Sequence, residues 1–218
     1  MNGLIKVEKY KILQLRRITT NTIVIKTERP LIKIKAGQCF NIGFEGMGVN
    51  REYSMYSSSN SPYLEFLIRV VPKGHVSTRL SQLQAGDYVE INGPYGNFCV
   101  PDEPEKFEYL FIGTGTGVAP FHSFVKSYPD LNYKVIHGIR YSDEAYDSHI
   151  FLKNKYIACI SKNNLNEPMR VTDYIKENIP NKKTKIFLCG NKGMIIDVVQ
   201  ILLDNEISGD QITTEVFF

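Results

Sequence analysis

The hydrophobic period of this chain changes near residue 100, and that change limits the fold more than any single motif. Before it, residues 10–19, 21–28, 38–44, 63–71 and 87–96 alternate or cluster β-branched and aromatic side chains, with glycine or proline between the runs. No helical stripe stands out in this half. Many short strands with turn punctuation predict a small antiparallel β-barrel or sandwich. After it, residues 107–113, 132–140, 155–161 and 185–190 are short apolar runs bounded by turn signals. Between them lie helix-like stretches at 118–127, 142–154, 170–179 and 192–206, the last with Met194, Ile195, Val198, Ile201 and Leu202 on one face. Alternating strand and helix predicts a parallel α/β sheet covered on both faces. The segment 100–108, with two prolines and four acids, reads as a linker. The expected organisation is a barrel domain at 1–100, a linker at 101–108 and an α/β domain at 109–218.

Composition removes several function classes. With 43% hydrophobic and 22% charged residues the 218-residue chain is an ordinary globular sequence. No apolar run reaches the ~20 residues of a membrane-spanning helix, and residues 1–11 lack signal-peptide features. Cys39, Cys99, Cys159 and Cys189 form no Cys-x-x-Cys pair. That argues against a metal site, a chain-borne iron–sulfur cluster and a disulfide framework, and for a reducing cytoplasm. Residues 1–100 hold 13 Lys and Arg against 7 Asp and Glu, whereas residues 101–218 hold 13 against 16. A basic first half suits an acidic partner or anionic ligand. Nucleic acid is discounted, because the cations are scattered and no recognition motif accompanies them.

The turn Gly113-Thr114-Gly115-Thr116-Gly117 follows an apolar run and precedes a helix-like one. That is where backbone can approach a phosphate or a nicotinamide. It is not a P-loop, since no Gly-Lys-Ser/Thr follows, and it misses G-x-G-x-x-G, since Val118 stands at the third glycine position. A tight βα connection needing only glycine's freedom is the plainer reading. The next strand run ends in Arg140, where an NAD-binding unit would carry an acid and an arginine instead accommodates a 2′-phosphate. Lys162 and Arg170 follow the third run and could join it. Each alone reads as a solvated surface cation.

Five motifs stand in fixed order: Arg51-Glu52-Tyr53-Ser54, Gly74-His75-Val76-Ser77, Gly93-Pro94-Tyr95-Gly96, the glycine turn with Val118-Ala119-Pro120, and Cys189-Gly190 with Met194. The chain ends Glu215-Val216-Phe217-Phe218. Together these resemble the ferredoxin–NADP(+) reductase superfamily over nearly the whole chain. The resemblance implies an FAD-binding barrel and an NADP-binding α/β domain. It implies that Arg51 pairs with the FAD pyrophosphate, Tyr53 packs on the isoalloxazine and Ser54 hydrogen-bonds near flavin N5. Gly74, Val76 and Ser77 would form the pyrophosphate-binding helix start. Gly113, Thr114, Gly115 and Thr116, with Gly190 and Met194, would hold the nicotinamide nucleotide, and Arg140, Lys162 and Arg170 its 2′-phosphate. Cys189 and Glu215 would lie at the hydride-transfer region, with a terminal aromatic stacked on the flavin. The spacing selects Phe217 for that ring, leaving Phe218 as an extension or an alternative.

Plainer readings stand beside these: Arg51 in an ion pair with Glu52 or Glu45, Ser77 as an ordinary N-cap, Cys189 as a small buried hydrophobe, a terminal Phe closing a final strand. The chain departs from the family in carrying Ser161-Lys162 where many relatives have Ser-Arg, and Phe217-Phe218 where Tyr is frequent. The implied activity is electron transfer between NADP(H), as substrate, and a one-electron carrier. The chain lacks a Cys-rich domain, so the expected carrier is a separate acidic ferredoxin or flavodoxin. Flavin reductase or cytochrome-type reductase activity, or an electron-transfer subunit without turnover, are the alternatives. A monomer is expected.

Overall fold

The computed structural model describes residues 8–162 and 168–217. The chain divides into two compact units, Met1–Cys99 and Val100–Phe218.

The first unit contains β1 (Glu8–Thr19), β2 (Thr22–Thr27), β3 (Cys39–Gly43), β4 (Asn50–Ser54), β5 (Leu64–Arg69) and β6 (Tyr88–Tyr95). They form one antiparallel sheet in the order β4-β3-β6-β1-β2-β5. The long β1 gives its first residues to β6 and its remainder to β2, which bends the sheet. Just past β4, Met55 bridges Phe66 of β5, and the Tyr56 N–H donates to the Glu65 carbonyl at 2.8 Å. The two ends of the sheet therefore meet and the unit is a closed barrel. Its interior holds Ile12, Ile23, Ile25, Phe40, Ile42, Phe66 and Ile68. The short helix α1 (His75–Leu80) adds Val76 and Leu80 to this core. At Gly93 (φ 147°) an added Cβ would lie 2.8 Å from the Phe40 ring, so only glycine lets β6 cross there. β4 is not one of the alternating runs. Three of its five residues are exposed, and pairing with β3 makes it a strand.

The second unit holds β7 (Glu108–Thr114), β8 (Asn132–Ile139), β9 (Tyr156–Ile160), β10 (Lys185–Asn191) and β11 (Ile212–Phe217), all parallel, in the order β11-β10-β7-β8-β9. β8 and β9 build outward from one side of β7. The chain then returns to place β10 on the other side. The topological switch point lies between β7 and β10, at whose carboxyl ends open α/β sheets bind ligands. Helix α2 (Ala119–Ser127) covers one face through a mainly aromatic core of Tyr109, Phe111, Phe121, Phe124 and Phe187. Helices α3 (Val171–Glu177) and α4 (Lys192–Asp204) cover the other, over Leu110, Ile112, Ile136, Ile186 and Leu188. Residues 100–107 run through a 3-10 turn at Pro104–Lys106 into β7. Among the described residues, no helix is long and apolar enough to cross a membrane.

The helix expected over 142–154 is absent. Its place is taken by two 3-10 turns, Ser142–Glu144 and Ser148–Ile150, separated by Asp147 at φ 44°. The segment is anchored by buried Tyr146 and Phe151, five residues apart and off any helical stripe. The Tyr146 carbonyl accepts from His122 Nε2 at 3.1 Å, which fixes irregular backbone against α2.

Candidate functional site

On the barrel, strand alternation puts Arg51 and Tyr53 on one face of β4, and Glu52 and Ser54 on the other. The Arg51 side chain is exposed, with Nη1 donating to the Asn50 carbonyl at 2.8 Å. Glu45 is paired with Lys9, so the ion pair once open to Arg51 is used elsewhere. Tyr53 is half-buried against the barrel core. Burial pushes its phenol up to about 12 despite the opposing Arg51 charge, so the ring stays neutral with its O–H intact. Ser54 is buried and lies opposite Cys39, whose thiol donates to the Tyr95 carbonyl at 3.4 Å.

At α1 the N-cap is Gly74, not a serine, and no side chain caps the helix. An added Cβ at Gly74 would sit 2.9 Å from both Ser77 Oγ and the Val71 carbonyl, so the turn admits only glycine. The Ser77 hydroxyl accepts the Val71 N–H at 3.1 Å, which occupies it with the turn rather than with the helix start. The Ser77 N-cap reading is therefore overturned. The first N–H groups of α1, including those of Val76 and Ser77, are left without intrahelical acceptors.

In the α/β unit the structure brings the glycine turn against the end of β10. Gly113 is in register with Cys189. A Cβ at Gly117 would overlap the Cys189 carbonyl. A Cβ at Gly190, which sits at φ 127°, would fall 2.5 Å from Thr114 Oγ1. Thr114 Oγ1 accepts the Asn191 N–H at 2.9 Å. Asn191 then caps α4, its Oδ1 accepting from Gly193 and Met194 N–H at 2.9 and 3.3 Å. Around Gly115 (φ 54°) an added Cβ would meet nothing within 4 Å, so the turn presents an open, flat backbone, and Thr116 beside it is half-buried.

Cys189 and Glu215 face each other across β10 and β11, with Sγ donating to Oε2 at 3.6 Å. Burial first, then the Glu215 charge, pushes the Cys189 thiol well above the usual range. It is a protonated hydrogen-bond donor, not a thiolate nucleophile. Phe217 is half-buried in the last position of β11, opposite Asn191 and on the same side as Glu215. Phe218 lies outside the described residues. The terminal strand was raised only as the plainer reading; it exists, and it holds Glu215 and Phe217 in register.

Arg140, Lys162 and Arg170 are all exposed at the carboxyl ends of β8 and β9. The Lys162 N–H donates to the Arg140 carbonyl at 2.9 Å, which joins two of them directly. Met169 bonds Ile160 at 3.0 Å, and Arg170 follows as the cap of α3. Buried Glu144 accepts the Arg140 N–H at 2.7 Å and shapes this loop. Sequence reasoning missed Glu144, Asn191 and His137. Only Asn191 carried a local signal, an Asn-x-Gly helix start.

The donor sets fit the cofactors of the family. An exposed guanidinium, a neutral half-buried tyrosine and an uncapped helix start suit a flavin with a pyrophosphate. An open glycine turn at a switch point suits a nicotinamide. A family model described as an oxidoreductase FAD-binding domain matches residues 10–99, and one described as an oxidoreductase NAD-binding domain matches residues 111–200. The flavodoxin/ferredoxin–NADP reductase of Escherichia coli (strain K12) is 32% identical over 139 residues, 61% of this chain and 56% of that protein. The chain thus aligns with little more than half of that relative. The corresponding reductase of Buchnera aphidicola is 26% identical over 223 residues, covering 90% of each. A Neisseria gonorrhoeae ferredoxin NADP+ reductase solved with bound FAD and NADP superposes with a TM-score of 0.82 at 25% identity, over 99% of this chain and 100% of that one. A closed barrel followed by a parallel sheet with its glycine turn at the switch point, matched in that order by the two models, makes this chain a member of the ferredoxin–NADP(+) reductase superfamily.

Proposed function

We propose that the chain is an FAD-dependent reductase moving electrons between NADP(H) and a separate one-electron carrier protein, a ferredoxin or flavodoxin. The observation that carries this reading is the switch point. There the glycine turn packs on the end of β10, and the Cys189–Glu215 pair stands in register beside it.

FAD, when bound, takes electrons as a hydride pair and gives them up singly. The chain's residues hold and align it. Arg51 offers a fork suited to the pyrophosphate, with the Val76 and Ser77 N–H groups as further donors made accessible by Gly74. Tyr53 gives a flat neutral ring for the isoalloxazine, and Ser54 a buried hydroxyl for the N5 region. In the second unit, Gly113, Thr114, Gly115, Thr116 and Gly190 let the nicotinamide approach backbone, and Met194 lines the start of α4. Arg140, Lys162 and Arg170 provide positive charge for the 2′-phosphate. Cys189 keeps its proton and donates to Glu215, which holds that carboxylate in place where hydride moves. Phe217 supplies the terminal aromatic ring of this reading, and Phe218 lies outside the described residues. The four cysteines stand far apart in the sequence with no Cys-x-x-Cys pair, a spacing that supports a reducing cytoplasm. The basic first half supports an acidic carrier.

The test is direct. The purified protein is expected to carry releasable FAD, to oxidise NADPH faster than NADH with ferricyanide, and to reduce ferredoxin or flavodoxin with rates that fall as salt rises. Absence of flavin after reconstitution, or FMN in place of FAD, overturns the assignment.

A further inference from the structure

The glycine turn rests on a pair the sequence did not single out, a buried histidine and a half-buried tyrosine. His137 lies fully buried on β8, and its Nε2 is 2.8 Å from the Gly115 carbonyl. A carbonyl only accepts, so Nε2 carries the proton. That leaves Nδ1, 2.8 Å from the Tyr156 hydroxyl, as an acceptor, and Tyr156 as its donor. The bonds run one way: Tyr156 O–H to His137 Nδ1, then His137 Nε2–H to the Gly115 carbonyl. Burial supports this order, since it pushes His137 down to about 4 and Tyr156 far up, which keeps the ring neutral and the phenol protonated. The pair is itself fixed. Tyr156 stacks on Phe151 at 5.3 Å, and Tyr146 packs on His137 at 6.0 Å. Gly115 takes a left-handed φ of 54°, and its outer side is open. At this carbonyl the turn is held from inside, and a Cβ added on the outer side of Gly115 would meet nothing within 4 Å.

We infer that His137, aligned by Tyr156, is a positioning residue that sets the height and orientation of the glycine turn and thereby the affinity for the nicotinamide half of the nucleotide. This rests on the reading of the turn as the nicotinamide platform. Replacing His137 with Phe keeps an aromatic ring, a somewhat larger one, and leaves the Gly115 carbonyl without its donor. The turn then loses its inner restraint. The 2′-phosphate cations at the ends of β8 and β9 are held by other bonds. The defect should therefore fall on one half of the ligand only.

The experiment measures binding of NADP+ and of adenosine 2′-monophosphate to the flavin-loaded protein by titration calorimetry. H137F is expected to weaken NADP+ about tenfold, the value of one buried hydrogen bond, with adenosine 2′-monophosphate unchanged. H137Q, whose amide can donate from the Nε2 position, should recover most of the loss. Y156F should cost about threefold, as one indirect bond. A second readout needs no nucleotide. Nitrogen-15 NMR of the wild type should find a non-titrating His137 ring with a slowly exchanging Nε2 proton from pH 5.5 to 8. A ring protonated at Nδ1 instead, or equal weakening of both ligands, or NADP+ binding unaffected in both H137F and Y156F, overturns the inference. If H137F does not fold, Y156F and the NMR signature decide. A wild type that binds adenosine 2′-monophosphate but gains nothing from the nicotinamide half overturns the reading of the turn, and the inference with it.

Discussion

The Cys189 thiol donates to the Glu215 carboxylate across two adjacent parallel strands, at 3.6 Å, and Cys189 is wholly buried. The carboxylate therefore has a fixed hydrogen-bond donor at its side. Glu215→Gln should slow hydride transfer about tenfold or more, the scale of a charge-assisted contact, with little change in Tm. Cys189→Ser preserves a donor and should retain more activity than Cys189→Ala. Stopped-flow reduction of the flavin by NADPH checks both.

Two glycines of the same turn should respond differently to alanine. At Gly115 the added methyl meets open space and the cost is only the left-handed backbone, about 1–2 kcal/mol. At Gly117 the methyl meets the Cys189 carbonyl, and backbone must move. Gly117→Ala should lower Tm more than Gly115→Ala and also weaken nucleotide binding. Thermal unfolding with and without NADP+ ranks them.

Arg51 is exposed and makes only a local bond to Asn50, so the apoprotein should not miss it. Arg51→Ala is expected to leave apoprotein Tm within error and to weaken FAD by about 1.5–3 kcal/mol, roughly 10- to 150-fold. Equilibrium dialysis of the apoprotein with FAD measures it.

Arg140 and Lys162 are joined through backbone at the carboxyl ends of β8 and β9. Replacing both with Gln should raise KM for NADPH about tenfold or more while leaving KM for NADH nearly unchanged. An equal response with the two nucleotides would detach these residues from the 2′-phosphate.

His137 has its folded pKa lowered from 6.5 to about 4, and His122 is lowered well below 6.5, both chiefly by burial. A depressed folded value means the unfolded chain binds protons first. The stability from these rings is present above pH 6.5 and lost as pH falls toward 4. Urea unfolding across that range should show a shallower acid limb in H137F than in the wild type.

Much of the fold was legible because burial stamps a period on the sequence. Strands β2, β5 and β7 and the stripe of α4 bury most of one or both faces. The elements with partial burial were legible only through motif or as the plainer reading, β4 from Arg51–Ser54 and β11 from the terminal Phe, while the 142–154 segment, held by two anchors off any stripe, reads as a helix and is not one. The site divides the same way. Gly113, Gly115, Cys189 and the terminal acid could be named from motif and order. Contacts such as Thr114 with Asn191, 77 residues apart, or His137 with Gly115, 22 apart, carry no local signature. They arise only when parallel strands bring distant positions into register.

The bridge from Met55 to Phe66 also governs how copies of this protein meet. By joining the sheet's two ends at one point it shields part of the unpaired backbone of β4 and β5 that invites another strand. The α/β sheet keeps two such margins, at β9 and β11. Among the described residues, strand addition therefore has its longest open margins in the nucleotide-binding half.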